Sequence, residues 1–64
     1  MTLSQIHSAI KSGTTVYWQS LAYTVSIGKF DNELYIDGPN GHKIGCEANS
    51  KLINSVEADF FTKS

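Results

Sequence analysis

The chain has 64 residues, 41% hydrophobic and 17% charged, with five glycines, one proline and one cysteine. That is one small domain, 1–64, which buries only about 60% of its unfolded surface, so large side chains or a second subunit are expected to support the core. Five lysines against six acidic residues leave a net charge of −1, which argues against a binder built on a basic footprint and equally against an acidic mimic of DNA.

One cysteine cannot close an internal disulfide, so Cys46 fits a reducing compartment or an unpaired buried thiol. No apolar run is long enough to span a bilayer, and Met1-Thr2-Leu3 opens no basic leader, so neither a membrane segment nor a signal peptide is expected.

Thr2-Leu3-Ser4-Gln5 has the form of a capping box. Leu3, Ile6, His7 and Ile10 follow at i, i+3, i+4 and i+7, one stripe of a helix. Lys11 suits the negative end of that helix, and Gly13 can take the left-handed conformation that stops it. The spacing predicts a helix over about 2–12.

After Gly13 the hydrophobic period changes to two. Thr14–Ser20, Tyr23–Phe30, Glu33–Gly38 and His42–Glu47 alternate and are rich in β-branched and aromatic residues, which predicts four strands. A two-residue loop at Asp31-Asn32 would pair Ile27 with Ile36 and Lys29 with Leu34. A three-residue loop at Pro39-Asn40-Gly41 would pair Ile36 with Ile44 and Leu34 with Cys46; a two-residue loop there would mix the faces. A four-residue loop over Ser20–Tyr23 would pair Val16 with Ile27 and Trp18 with Val25.

These turns agree on one apolar face, with rows Val16/Ile27/Ile36/Ile44 and Trp18/Val25/Gly38/His42, and the helix stripe is its expected cover. In the tail, Asn54-Ser55-Val56-Glu57 could cap a short helical turn, Phe60-Phe61 could form an edge strand, and Leu52, Ile53, Val56, Phe60 and Phe61 are expected to close the core. The fold class expected is α+β, an N-terminal helix on a four-stranded antiparallel meander with a short C-terminal helical turn or edge strand.

The same register assigns the opposite face. Thr15, Gly28, Tyr35 and Gly45 form one row; Tyr17, Ser26, Asp37 and Lys43 form the next, continued by Gln19 and Thr24. Tyr35 then has a glycine on each neighbouring strand, either as an aromatic covering bare backbone or as the floor of a groove shared with Tyr17. Asp37 opposite Lys43 reads as an exposed cross-strand ion pair, which contributes roughly 0–1 kcal/mol unless a partner buries it. Tyr17, Gln19, Thr24, Ser26, Tyr35, Asp37 and Lys43 are therefore the candidate binding face.

Chemistry is sparse. His42 and Cys46, four apart on one strand, stand roughly 13 Å apart, too far to share a metal. His42 is expected beside Trp18 at the sheet end, and Cys46 points inward, away from any base. The carboxylates are scattered over turns and edges, and Gly38-Pro39-Asn40-Gly41 is a hairpin turn, not a phosphate loop. So small a sheet has little room for a pocket of about 300 Å³. No enzyme activity, catalytic residue, metal or cofactor is expected. Tyr17 and Tyr35 could stack bases, but Lys43 is the one lysine in their rows and it faces Asp37, so strong nucleic-acid binding is not expected.

The run Ile6-His7-Ser8-Ala9-Ile10-Lys11-Ser12-Gly13-Thr14-Thr15-Val16-Tyr17-Trp18, followed by Tyr23-Thr24-Val25 and closed by Asp59-Phe60-Phe61, resembles a group of small phage and prophage accessory proteins. The resemblance covers most of the chain through structural motifs and carries over no functional residue. It implies the cytoplasm of an infected or lysogenic bacterial host, and action by binding. The expectation is a protein that inhibits a host factor, an anti-phage defence component among the candidates, by stoichiometric protein–protein binding. The alternative is an oligomeric sponge that sequesters a small nucleotide-derived signal. Both anticipate a homo-oligomer, dimer or higher.

Overall fold

Residues 1–63 are described by a computed structural model. Helix α1 spans Leu3–Lys11, and its capping box is complete: the Gln5 N–H donates to Thr2 Oγ1 and the Thr2 N–H to Gln5 Oε1. The helix stops where Gly13 takes φ +89°, a left-handed conformation that costs glycine little. Strands β1 (Val16–Trp18), β2 (Ser20–Ile27), β3 (Leu34–Asp37) and β4 (Lys43–Gly45) follow, then a small hairpin of β5 (Glu47–Ala48) and β6 (Lys51–Leu52), and finally β7 (Phe60–Thr62). The main sheet is antiparallel in the order β4-β3-β2-β1-β7; β5 and β6 pair separately. The class is α+β as expected, with one strand more in the sheet than the meander alone provides, plus the extra hairpin.

The core is the apolar face that alternation predicts. Ile6 of α1 packs with Val16, Val25, Leu34, Ile36, Cys46 and Phe60, all buried, while Leu3, Ile10, Trp18, Tyr23, Ile27 and Leu52 pack around them. Of the tail residues expected to close the core, Phe60 does so and Leu52 flanks it, whereas Ile53, Val56 and Phe61 stay exposed. Ile44 lies 44% exposed on β4.

Two of the three registers differ from the sequence expectation, by two residues at Ile36 and Tyr17 and, beyond a bulge, by five at Trp18. Ile36 pairs with Val25, and Leu34 with Ile27. The turn is longer than Asp31-Asn32: the Gly28 N–H donates to the Glu33 carbonyl, leaving Lys29–Asn32 as the loop. Tyr17 pairs with Thr24, and Trp18 with Ser20 across a bulge, because Gln19 alone turns the chain at φ +62°. The β3–β4 hairpin keeps its expected register, with Ile36 opposite Ile44 and the Cys46 N–H donating to the Leu34 carbonyl.

A shift of two leaves every side chain on its original face, since strand side chains alternate with period two. The face assignment therefore stands for Tyr17, Thr24, Ser26, Tyr35, Asp37 and Lys43 although two pairings do not, and it fails at Gln19, which lies in the β1–β2 connection. In the tail, a 3-10 turn spans Glu57–Asp59 with Val56 at its cap position, so Asn54 does not cap it; Asn54 instead donates to the Gly45 carbonyl at 3.4 Å.

Candidate functional site: the uncovered sheet face

Helix α1 and Leu52 of β6 pack on one side of the sheet. The other side carries a row that the corrected register extends across all five strands: Lys43, Asp37, Thr24, Tyr17 and Phe61. Its two ends differ chemically. At one, Lys43 Nζ lies 3.7 Å from Asp37 Oδ1 and 5.5 Å from the Tyr35 ring centroid. At the other, Tyr17 stacks on Phe61, centroids 5.6 Å apart and planes 28° apart. The second row is Ser26, Tyr35 and Gly45.

Among the seven candidate residues, Tyr17, Thr24, Asp37 and Lys43 share one row, and Ser26 and Tyr35 share the next. Ser26 is thus displaced from the row expected for it, and Thr24 takes its place. Gln19 leaves the row altogether. It forms the β1–β2 connection, its N–H donating to the Asp59 carbonyl at 2.8 Å and its side-chain amide to Asp59 Oδ2 at 3.4 Å. The alternation signal did not reveal Phe61 as the fifth member, because β7 joins the sheet beside β1 from the far end of the chain.

Tyr35 sits opposite Gly45 and Ser26, with Gly28 two residues beyond Ser26, just past the end of β2. A methyl group added at Gly28 would lie 2.8 Å from Tyr35 Cε1 and against the Asp31 carboxylate. Tyr35 therefore lies over bare backbone, as the covering-aromatic reading anticipates. Its hydroxyl donates to Asp31 Oδ2, and the Glu33 N–H donates to Asp31 Oδ1 at 3.0 Å. The phenol bond and then the backbone donor hold the Asp31 carboxyl below the usual carboxylate range, and the same bond to Asp31 raises the Tyr35 phenol.

Between this tyrosine and the β2–β3 loop lies an open hollow of about 540 Å³, lined among others by Ser26, Lys29, Phe30, Asp31 and Lys43. It exceeds the volume expected for so small a sheet because the four-residue loop projects beyond it. Phe30 stands fully exposed in that loop, and the Ser26 hydroxyl is buried without a partner.

On the covered face, Trp18 meets Tyr23 edge to face at 5.3 Å. Tyr23 also covers Gly38, where an added methyl group would lie 3.0 Å from its ring. His7 Nε2 lies 2.8 Å from Glu47 Oε1, and the same oxygen accepts the Leu34 N–H at 3.1 Å. This link of helix to sheet was not legible, since His7 reads only as part of the helix stripe. Cys46 is buried as expected; burial first, and the Glu47 charge second, push its thiol up to about 11.

Comparison with known protein families, characterised proteins and solved structures finds no match. Among the described residues, no helix is long and apolar enough to cross a membrane.

Proposed function

We propose that the chain is a non-enzymatic binding protein that inhibits a bacterial host factor by stoichiometric protein–protein contact, acting in the host cytoplasm during phage infection or lysogeny. The observation that carries the reading is the uncovered row Lys43–Asp37–Thr24–Tyr17–Phe61. It places stacked aromatic rings in line with a salt-bridged polar end on one sheet face, and aromatic residues commonly carry much of the binding energy of a contact patch. The phage context comes from the resemblance of the helix, the Val16-Tyr17-Trp18 strand and the closing Asp59-Phe60-Phe61.

Bacterial strains carrying single defence systems, challenged with phage while expressing the chain, test it. Restored plating in one strain, followed by titration of that system's purified effector to an equivalence point, is the expected result. Tyr17→Ala and Phe61→Ala, each still folded, should weaken inhibition at least tenfold. Full inhibition by both variants would remove this face from the proposal.

The hollow beside Tyr35 favours a second reading, the sequestration of a nucleotide-derived signal, with Tyr35 or Phe30 against a base and Lys29 or Lys43 on phosphate. Calorimetric titration with cyclic nucleotides and ADP-ribose separates the two readings: heat that Tyr35→Ala abolishes supports sequestration, and no heat with any of them removes it.

A further inference from the structure

The two edges of the main sheet are not equivalent. Beyond β4, the 46–54 segment returns: the Ile53 N–H donates to the Cys46 carbonyl and the Asn54 side chain to the Gly45 carbonyl. Strand β7 pairs with β1 on one side only. The Gln19 N–H donates to the Asp59 carbonyl, and peptide groups in an antiparallel ladder alternate in direction. Phe61 therefore turns its peptide groups towards β1, and Phe60 and Thr62 turn theirs outward. The Phe60 N–H is already engaged by the Glu57 carbonyl. Among the described residues, the outward groups left for pairing are the Phe60 carbonyl and the Thr62 N–H and carbonyl.

We infer that β7 pairs antiparallel with β7 of a second copy about a two-fold axis at Phe61, joining two sheets edge to edge. In that register Phe60 faces Thr62 of the second copy, so each Thr62 N–H meets a Phe60 carbonyl that is free to accept it. The next pair outward sets Asp59 against Lys63, once on each side of the axis, which matches opposite charges twice. Centring the strands on Phe60 would set Glu57 against Lys63 but puts the engaged Phe60 N–H at the axis, and centring them on Thr62 sets Phe61 against Lys63, so neither keeps the backbone and charge matches together. Phe61, 36% exposed on the outer face, meets its own copy at the axis, where opposed residues of a non-hydrogen-bonded pair stand close enough for ring contact. Tyr17 already stacks on Phe61, so a line of four rings crosses the junction. The occupant of this edge is a second copy because the strand is complementary to itself in backbone groups, charge and aromatic packing at one register. The inference goes beyond the proposed inhibition and needs no target to be tested.

Sedimentation equilibrium of the purified chain, from micromolar to millimolar concentration, is the experiment. The expected result is a reversible monomer–dimer equilibrium. Thr62→Pro removes only an outward N–H, which edge strands tolerate, and should lower the association constant at least tenfold with an unchanged circular dichroism spectrum. Lys63→Asp should do the same by setting Asp against Asp, and the exchange Asp59→Lys with Lys63→Asp should restore association. Phe61→Cys should cross-link as a disulfide dimer under mild oxidation, whereas Lys63→Cys should not, because its opposite residue is Asp59. A wild-type chain monomeric at millimolar concentration overturns the inference. So does a dimer that persists undiminished in both Thr62→Pro and Lys63→Asp.

Discussion

Tyr35 owes its position to what its neighbours lack. A Cβ at Gly28 would lie 2.8 Å from its ring, closer than packed carbon atoms tolerate. Gly28→Ala should therefore destabilise the fold by about 1–3 kcal/mol in urea unfolding, although alanine is elsewhere the better strand residue.

The phenol bond to Asp31 has a pH signature with two limbs. The depressed Asp31 value means that its contribution is complete above the ordinary carboxylate pKa and fades as pH falls through the lower folded value. The raised Tyr35 value means that its contribution is complete below the ordinary phenol pKa and is lost as pH rises through the higher folded value. Tyr35→Phe should move the Asp31 titration, followed by NMR, upward towards its ordinary midpoint. An unmoved midpoint would show that the backbone donor alone sets it. Glu47 has a comparable structural role on the covered face, where one oxygen takes both His7 and the Leu34 N–H. Glu47→Ala leaves that half-buried N–H without its partner and should cost about 1–3 kcal/mol.

At the scale of elements, the connections decide the register, and outside the β1–β2 connection at Gln19 asparagines recur in them. All four asparagines, Asn32, Asn40, Asn49 and Asn54, have positive φ, and Ser50 joins Asn49 at φ +62° in the β5–β6 turn. Two consecutive left-handed residues are the geometry of the commonest tight hairpin, for which Asn-Gly is the preferred pair. Ser50→Gly should therefore stabilise the chain by about 0.5–1 kcal/mol, the relief of left-handed strain less the added backbone freedom. A lowered urea midpoint would contradict the turn.

The helix and the strand faces were legible because periodicity reports which side a residue faces, whatever it pairs with. Loop lengths were not: Asp31-Asn32 has the chemistry of a two-residue turn, yet the loop closes at Gly28 and Glu33, with Asp31 tied to Tyr35. The site was legible to the same extent. Tyr17, Thr24, Asp37 and Lys43 were placed on their face by alternation, while Phe61 enters the row through a long-range pairing that no local pattern encodes. Gln19 was lost from it because a single left-handed residue, not a four-residue loop, turns β1 into β2.

The whole molecule holds itself together through one thin layer of buried side chains between α1 and the sheet. Ile6 is its largest fully buried contribution from the helix, and Ile6→Ala should cost about 2–5 kcal/mol, a large part of what so small a domain has. Cys46 lies in the same layer with its thiol pushed up to about 11, so it reports on the layer as a unit. In native buffer near neutral pH it should resist Ellman's reagent over a time in which the urea-unfolded chain reacts completely.

Whatever binds the outer face, the five side chains from Lys43 to Phe61 can act together only if they share a row. Cross-strand contacts between α-protons, read by NMR, test this most directly, because they are strongest between directly opposed residues of a non-hydrogen-bonded pair. A strong Tyr17–Thr24 contact is predicted. A strong Tyr17–Ser26 contact in its place would break the row and leave the aromatic and charged ends out of line.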